Sequence, residues 1–254
     1  MISLFASILR FTFRAVMLVL FLVIALLPIL LVINHYQKLD TQAGWRKADA
    51  LAIRLANWFL WFFGIRARTR GTPVDGPVLI AANHISWLDI LALHTDSAMG
   101  FVGKAEIEQW PVFRFIARTG GTIFHQRGSH DSAADVTSVM IQRLQQGRRV
   151  AIFPEGGILP GAEVRVFHAR MFRAAVDVEC PVQPVMVRYL TRGRRDDDIL
   201  FHKDESMLAN FVRMLARPGA VADIHFLPAI DSTGKPRRAL ADAARAAVIS
   251  SYES

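Results

Sequence analysis

Hydrophobic and polar positions divide the chain into an apolar beginning and a longer part of mixed pattern. The nineteen residues from Ala15 to Ile33 carry no charge. As a helix rising about 1.5 Å per residue, this segment would reach about 28 Å, close to the thickness of a bilayer's hydrocarbon core. A cleaved signal peptide and a buried helix of a soluble protein are the alternatives, but no small-residue cleavage site follows. We therefore expect a membrane-anchoring helix with a kink at Pro28.

A second apolar segment, Leu51 to Ile65, contains Trp58, Trp61 and a single arginine. Three more arginines follow it: Arg66, Arg68 and Arg70. Aromatic and basic residues together are typical of a helix that lies at the membrane interface. We expect the two apolar segments to form a membrane-anchoring helix pair within residues 1–65, which either spans the membrane or dips into one leaflet.

Residues 66–254 alternate short apolar or β-branched runs with segments of helical spacing. The runs predict strands at 77–82, 99–103, 121–125, 149–153, 183–190 and 220–227. The segments between them predict helices at 87–95, 106–118, 131–146, 166–178, 204–216 and 237–251. Strands that alternate with helices of this length are typical of an α/β domain, here a mixed sheet covered by helices.

The formal net charge is +8, and most of the excess lies near the apolar beginning. Residues 1–74 carry nine Lys/Arg and two Asp, a net +7, whereas residues 75–254 carry twenty-one Lys/Arg and twenty Asp/Glu, a net +1. This distribution favours contact with an anionic lipid surface over nucleic-acid binding. Basic residues are more numerous after the first apolar segment than before it, which predicts a domain on the cytoplasmic side of the cytoplasmic membrane.

Cys180 is the only cysteine of the chain, which excludes an intramolecular disulfide and a cysteine-based metal site. The flanking sequence CPVQPV is typical of the beginning of a buried strand, so we expect no catalytic thiol. We also expect no metal and no bound cofactor, because His84, Asp89 and Glu155 lack the spacing of a known metal signature.

The most distinctive segment is NHISWLD, Asn83 to Asp89, directly after the predicted strand at 77–82. If His84 lies in the turn between strand and helix, Asp89 in the first helical turn can fold back onto it. One interpretation is structural, with Ser86 and Asp89 forming a capping box at the start of the helix. The other is chemical: Asp89 orients the imidazole, and His84 acts as a general base near neutral pH.

The chain contains no G-x-S-x-G nucleophile motif, so His84 would deprotonate a substrate hydroxyl rather than a side chain. Three further segments follow NHISWLD in order: GTIFHQR at 121–127, IFPEGG at 152–157 and CPVQPVMVRY at 180–189. Together the four resemble the motifs of the glycerolipid (lysophospholipid) acyltransferase family, in particular the bacterial 1-acyl-sn-glycerol-3-phosphate acyltransferases. The resemblance covers about residues 66–230.

The resemblance implies transfer of a fatty acyl group from acyl-CoA or acyl-carrier protein to the free hydroxyl of a lysolipid, in phospholipid biosynthesis. It implies that His84 is the general base and Asp89 its orienting partner. Arg127 would hold the substrate head group, and Glu155 would help to position the acceptor. The expected substrate-binding residues are Asn83, Arg127, Glu155, Gly156 and Gly157.

The chain departs from the family at one place. The family usually has F-P-E-G-T-R, whereas Gly157 and Ile158 occupy the last two positions here. Gly157 can offer a backbone N–H to an anion, but Ile158 carries no charge. Three arginines could compensate: Arg165, Arg170 and Arg173. We expect 1-acylglycerol 3-phosphate as the acceptor and phosphatidate as the product. Another lysolipid such as lyso-ornithine lipid, or a catalytically silent lipid-binding role, stays open.

Overall fold

A computed structural model of the chain describes residues 2–104, 121–125, 130–158 and 163–253. One long apolar helix comes first, made of α1 (Ile2–Phe21), a π-helical turn (Leu22–Leu26) and α2 (Leu27–Lys38). Pro28 has no N–H to donate, and the wider π-helical winding lies directly before it. Among the described residues, Leu4–Lys38 is the one helix long and apolar enough to cross a membrane, and only 22% of its most apolar window is buried.

The next helix, α3 (Gln42–Phe62), folds back against the long helix, which confirms the predicted helix pair. The pair has its own small core: Leu26, Leu30, Ile33, Ala48 and Leu55. The helix begins well before the predicted start at Leu51, because the Thr41 hydroxyl caps it by accepting a hydrogen bond from the Gly44 N–H at 3.1 Å. Near its other end, Trp58 and Trp61 are exposed.

Eight strands form the sheet within the described residues: β1 (Ile65–Arg70), β2 (Val78–Ala82), β3 (Gly100–Lys104), β4 (Ile123–His125), β5 (Arg149–Ile152), β6 (Val182–Thr191), β7 (Arg194–Arg195) and β8 (Ala220–Phe226). Their order is β1-β8-β6-β2-β5-β3-β4, with β7 beside β6. β2 pairs parallel with both β5 and β6, whereas β6 and β8 pair antiparallel. The sheet is therefore mixed, as predicted, and β2 lies near its centre.

Strands β1 and β7 are absent from the prediction. β1 is an edge strand in which exposed arginines alternate with less exposed residues. The three arginines that follow the second apolar segment therefore belong to the sheet and share one of its faces, rather than extending a membrane-interface helix. The predicted domain boundary after residue 65 falls at the first residue of β1 and stays a prediction.

In the part of the chain that the structure describes, five further helices cover the sheet: α4 (Leu88–His94), α5 (His130–Gln145), α6 (Arg173–Val178), α7 (Met207–Ala216) and α8 (Arg237–Glu253). Short 3₁₀ helices lie at Ala169–Phe172 and Asp197–Ile199. The predicted helix at 166–178 is wrong over its first residues, which have no regular secondary structure before the 3₁₀ turn. The predicted helix at 204–216 begins only after Ser206, whose hydroxyl caps α7. The helix predicted at 106–118 lies outside the described residues.

All five residues of β2 are buried, because helices cover both faces of the sheet. Leu79 and Ala81 belong to one apolar cluster, and Ile80 and Ala82 belong to the other. The second cluster also contains side chains of α3, so the helix pair and the sheet share a core. β2 therefore holds the turn that begins at Asn83 in a fixed position, at the carboxyl-terminal end of a central strand.

Two arginines of α1 bind the end of α7. Nε of Arg10 donates to the carbonyl oxygen of Ala216 at 3.1 Å. Nη1 of Arg14 donates to the carbonyl oxygens of Leu215 and Arg217, at 3.1 Å and 2.8 Å. Carbonyls at a helix C-terminus lack intrahelical donors and carry partial negative charge, so the two guanidinium groups satisfy them. The apolar helix is thereby attached to the α/β domain by polar contacts as well as by packing.

Candidate active site

The turn after β2 is fixed to the neighbouring strand by a side-chain amide. Nδ2 of Asn83 donates to the carbonyl oxygen of Val187 at 2.8 Å, and the N–H of Val187 donates to Oδ1 of Asn83 at 2.7 Å. Asn83 is fully buried, so this pair of bonds satisfies polar groups that water cannot reach. The amide thus holds the turn after β2 against β6, and its predicted contact with substrate stays a prediction.

His84 and Asp89 meet as the sequence predicts. Nδ1 of His84 lies 3.0 Å from Oδ2 of Asp89. Because a carboxylate can only accept, Nδ1 carries the proton in this bond, and a neutral ring then leaves Nε2 as an acceptor. An imidazole with a free acceptor nitrogen can take a proton from a hydroxyl group.

The structural and the chemical interpretation of Asp89 both agree with the structure. Its Oδ2 also accepts hydrogen bonds from the backbone N–H groups of Ile85 and Ser86, at 2.7 Å and 2.9 Å. The Ser86 hydroxyl accepts from the N–H of Leu88 at 3.3 Å, so Ser86 and Asp89 together cap the start of α4, although Ser86 binds Leu88 instead of the Asp89 N–H that a capping box would use. One carboxylate therefore both starts the helix and orients the imidazole.

An aromatic stack fixes the plane of the imidazole. The rings of His84 and Phe153 lie 3.8 Å apart and 12° from parallel, and Phe101 stacks beyond Phe153 at 5.6 Å. Only 12% of the His84 side chain is exposed. The ring is thus held by its Nδ1 and by one face, which limits the directions from which a substrate can approach.

Glu155 lies directly behind His84. Its Oε1 accepts the backbone N–H of His84 at 2.9 Å, and its Oε2 lies 3.2 Å from the backbone N and 3.3 Å from Nε of Arg165. The carboxyl is 5% exposed, and this burial raises its pKa above the usual glutamate value, although the bonds to His84 and Arg165 oppose the shift. The structure brings Glu155 to the turn after β2, and its predicted role in positioning the acceptor stays a prediction.

The loop after Glu155 has a backbone that suits glycine. Gly156 has a φ of 82° and Gly157 a φ of 155°. A Cβ at Gly156 would also lie 3.4 Å from Cδ2 of His168. Side chains at these two positions would be strained, so the backbone conformation disfavours the family's threonine at Gly157. The N–H of Gly156 donates to the carbonyl oxygen of Phe153 at 3.1 Å.

Only one of the three possible compensating arginines lies at this loop. Arg165 pairs with Glu155 and donates to the carbonyl oxygen of Gly157. Arg173 instead pairs with Asp177 on α6, at 3.2 Å, and Arg170 is exposed on the 3₁₀ helix. Arg127, predicted to hold the head group, lies outside the described residues.

Sequence reasoning did not identify Tyr189 as a site residue. Its hydroxyl donates to Oδ1 of Asp89 at 2.8 Å, and the residue is 1% exposed. Burial, followed by the charge of Asp89, raises the pKa of Tyr189 well above its usual value. A buried tyrosine needs a hydrogen-bond partner, which was the available signal, but the sequence did not show which group provides it.

Cys180 is buried directly before β6, as predicted. Burial raises the pKa of its thiol to about 11, so the thiol is protonated at neutral pH. This agrees with the expectation that the cysteine is not a nucleophile.

Comparison with known proteins extends these observations. The Acyltransferase family model matches residues 64–188. The lyso-ornithine lipid O-acyltransferase of Pseudomonas aeruginosa is 34% identical over 199 residues, which cover 77% of this chain and 77% of that protein. The chain belongs to the lysolipid acyltransferase family.

Other members of the lysolipid acyltransferase family match in different ways. The 1-acyl-sn-glycerol-3-phosphate acyltransferase of Neisseria gonorrhoeae is 37% identical over 112 residues, 44% of each chain. The crystal structure of the 1-acyl-sn-glycerophosphate acyltransferase PlsC from Thermotoga maritima has a TM-score of 0.69 at 17% identity, and covers 99% of this chain and 96% of that one. The last comparison confirms the predicted fold, including the helical segment before the sheet.

Proposed function

We propose that this acyltransferase esterifies the free hydroxyl of lyso-ornithine lipid, with an acyl thioester as donor. The observation that carries the catalytic part is the contact between His84 and Asp89 after β2, in which the carboxylate binds Nδ1 and leaves Nε2 as the acceptor of a neutral ring. The donor is acyl-CoA or acyl-carrier protein, which carry the activated thioester that a direct transfer requires. The domain lies on the cytoplasmic side of the membrane, where both donors occur.

In the proposed reaction, Nε2 of His84 takes the proton of the acceptor hydroxyl as its oxygen attacks the thioester carbonyl. The C–S bond then breaks, the ester is released, and the imidazolium returns its proton to the leaving thiolate. Asp89 stabilises the imidazolium that forms between the two steps. The fixed ring plane of His84 supports this mechanism, because a positioned base and acceptor replace a bimolecular encounter.

The extent of sequence similarity supports lyso-ornithine lipid as the acceptor. The enzyme named for that substrate matches 77% of the chain, whereas the Neisseria gonorrhoeae enzyme named for 1-acylglycerol 3-phosphate matches 44%. The shorter match is slightly more identical, at 37% against 34%. For this reason 1-acylglycerol 3-phosphate, the acceptor favoured in the sequence analysis, is the second candidate.

The loop after Glu155 also favours an acceptor without a phosphate. A phosphate dianion binds best to several charged donors, and Ile158 provides none. Among the described residues, Arg165 is the arginine bound at this loop, and Glu155 and the carbonyl of Gly157 already engage its guanidinium. A zwitterionic amino-acid head group demands less positive charge than a phosphate.

Acyl transfer by the purified protein in detergent tests the proposal. Labelled acyl donor is supplied with lyso-ornithine lipid or 1-acylglycerol 3-phosphate, and kcat/KM is measured for each. We expect the higher value for lyso-ornithine lipid. Preference for 1-acylglycerol 3-phosphate would overturn the acceptor and leave the acyltransferase activity standing, whereas transfer to neither acceptor would contradict the proposal as a whole.

The variant Ile158→Arg sharpens this test, because it restores the family's usual arginine. We expect it to raise kcat/KM for 1-acylglycerol 3-phosphate by roughly tenfold, the value of one charge-assisted hydrogen bond, and to leave lyso-ornithine lipid little changed. Ile158→Lys is the matched control, since an ammonium adds the charge without the planar fork and should give a smaller gain. Gly157 is left in place, because its φ of 155° disfavours threonine.

A further inference from the structure

We propose that Tyr189 is a positioning residue of the catalytic pair: its phenol holds the Asp89 carboxylate and thereby sets how strongly His84 retains a proton. The inference rests on the proposed function, in which His84 is the general base. It adds a residue of β6 to the machinery that the turn after β2 provides.

The oxygens of Asp89 divide their partners between the turn and the sheet. Oδ2 receives the imidazole of His84 together with two backbone N–H groups of the same turn. Oδ1 receives the hydroxyl of Tyr189 at 2.8 Å. Asp89 is 0% exposed, so the phenol occupies the side of the carboxylate where a surface residue would bind water.

The phenol also attaches the turn after β2 to the neighbouring strand β6. Tyr189 and Val187 are two residues apart on β6, so they face the same side of the sheet. Val187 binds the Asn83 side chain through its backbone, and Tyr189 binds Asp89 through its hydroxyl. The ends of NHISWLD are thus attached to one strand, and a shift of that strand would move the imidazole.

A buried carboxylate depends on such donors for its charge. Each hydrogen bond to an ionised carboxylate stabilises the charge and reduces the attraction left for a neighbouring proton. Because the pKa of Tyr189 is raised well above its usual value, the phenol remains a donor throughout the working pH range. The attraction between Asp89 and the His84 imidazolium is therefore weaker with the phenol present than without it.

Other titratable groups face the pair and must be separated from this effect. Glu155, next to Arg165, binds the backbone of His84 from the loop after β5. Tyr252 of α8, by contrast, packs in the apolar cluster on the other face of the sheet, and burial raises its pKa against the opposing charge of Arg195. The decisive measurement therefore has to observe His84 itself as well as the overall rate.

Tyr189→Phe is the test, because it removes the hydroxyl and keeps the ring that packs in the core. Without the phenol, Asp89 holds the proton of the pair more strongly, so His84 becomes a free base only at higher pH. We expect the acid limb of kcat/KM for acyl transfer to move upward by about 0.5 to 1 pH unit. We expect kcat near pH 7 to fall by roughly tenfold, with KM for donor and acceptor little changed. A residue that served only the stability of the core would not move the acid limb.

The second measurement does not depend on turnover. Protein labelled at the Cε1 carbon of histidine is titrated by NMR, and the His84 signal is assigned by its loss in His84→Gln. In Tyr189→Phe the midpoint of that signal should move to higher pH by the same amount as the acid limb. Tyr252→Phe, which removes the hydroxyl of another buried tyrosine, is the matched control and should leave the midpoint within about 0.2 unit, a fraction of the shift expected from one direct hydrogen bond.

The two measurements separate failure of this inference from failure of the proposed function. If the wild-type protein transfers acyl groups and Tyr189→Phe changes neither the acid limb nor the His84 midpoint, Tyr189 has no positioning role. If the wild-type protein transfers to no lysolipid, the proposed function is wrong, and the His84 midpoint still decides whether Tyr189 acts on the pair. Equal shifts in Tyr189→Phe and Tyr252→Phe would also overturn the inference.

Discussion

The backbone N–H of His84 donates to Oε1 of Glu155 at 2.9 Å, across 71 residues of sequence. This bond joins the turn after β2 to the loop after β5, so two of the family's motifs meet through a backbone group. Glu155 thereby supports the position of His84 directly. Its buried carboxylate also makes the stability of the site dependent on pH.

Glu155→Gln should alter the pH dependence of unfolding. Burial raises the pKa of Glu155 in the folded protein above its unfolded value, so the folded state binds more protons between the two values. The free energy of unfolding of the wild type, relative to Glu155→Gln, should therefore be highest at low pH and should fall as the pH rises through that window.

Denaturant unfolding from pH 4 to pH 8 measures this difference, with Glu163→Gln as the control at an exposed glutamate. A difference that rises with pH instead would mean that the bonds from His84 and Arg165 outweigh the burial. Activity should also fall in Glu155→Gln, because an amide NH₂ cannot accept the hydrogen bonds of Arg165.

The proposed catalytic roles of His84 and Asp89 lead to a prediction about the rate of acyl transfer. His84→Ala should lower kcat by at least about 10²-fold, the usual contribution of a general base, and Asp89→Asn should be severely impaired through loss of imidazole orientation. Acyl transfer is measured beside circular dichroism, which confirms folding. The control is His202→Ala, at an exposed histidine bound to Asp198. Near-normal turnover of folded His84→Ala would remove His84 from the mechanism.

The single cysteine should be dispensable. Because burial raises the pKa of Cys180 to about 11, little thiolate is present at neutral pH. Cys180→Ala should keep at least about half of the wild-type kcat, since a small buried side chain replaces another of similar volume. Mass spectrometry of the wild type during turnover should show no acyl-enzyme. An acylated Cys180, or an inactive but folded Cys180→Ala, would require a covalent mechanism.

The exposed face of the long helix should hold the protein on the membrane. Val19 and Val23 are 56% and 75% exposed on this helix, and Val139 on α5 is also exposed. The double change Val19→Glu with Val23→Glu should release much of the protein from anionic vesicles. A charged side chain at the centre of a membrane-inserted helix costs about 2.5–3.5 kcal/mol of insertion free energy.

Vesicle co-sedimentation at low and high salt measures this release. Val139→Glu adds one of the same charges at a distant apolar position and should leave binding unchanged. Full retention of the double variant at both salt concentrations would show that another surface carries the attachment.

Local patterns in the sequence predict most of the sheet and the chemistry of the turn. The apolar run before Asn83 predicts a buried strand, and the spacing of His84 and Asp89 predicts their contact. Both features depend only on residues that are close together in the sequence. β1 was missed because its alternating arginines follow an apolar helix and have the composition of a membrane-interface tail. Alternation of exposed arginines with smaller residues is equally the pattern of an edge strand.

Contacts between distant parts of the chain could not be predicted. The hydroxyl of Tyr189 reaches Asp89 across 100 residues, and Glu155 reaches His84 across 71. These contacts depend on the order of the strands, which places β6 and β5 on either side of β2. A periodic pattern indicates which face of a strand is buried but not which strand lies beside it. Sequence reasoning therefore identified His84 and Asp89 but not the contacts that Tyr189 and Glu155 make with them.

The bonds from Arg10 and Arg14 to the carbonyls that end α7 affect how the enzyme can be prepared. A shortened chain that began after the long helix would leave those carbonyls without their donors. It would also uncover the buried Phe62, whose ring packs against Phe21 of the long helix with 5.2 Å between the centroids. Shortening the chain to gain solubility would therefore produce an aggregation-prone domain, and detergent extraction of the whole chain is the preparation that this architecture favours.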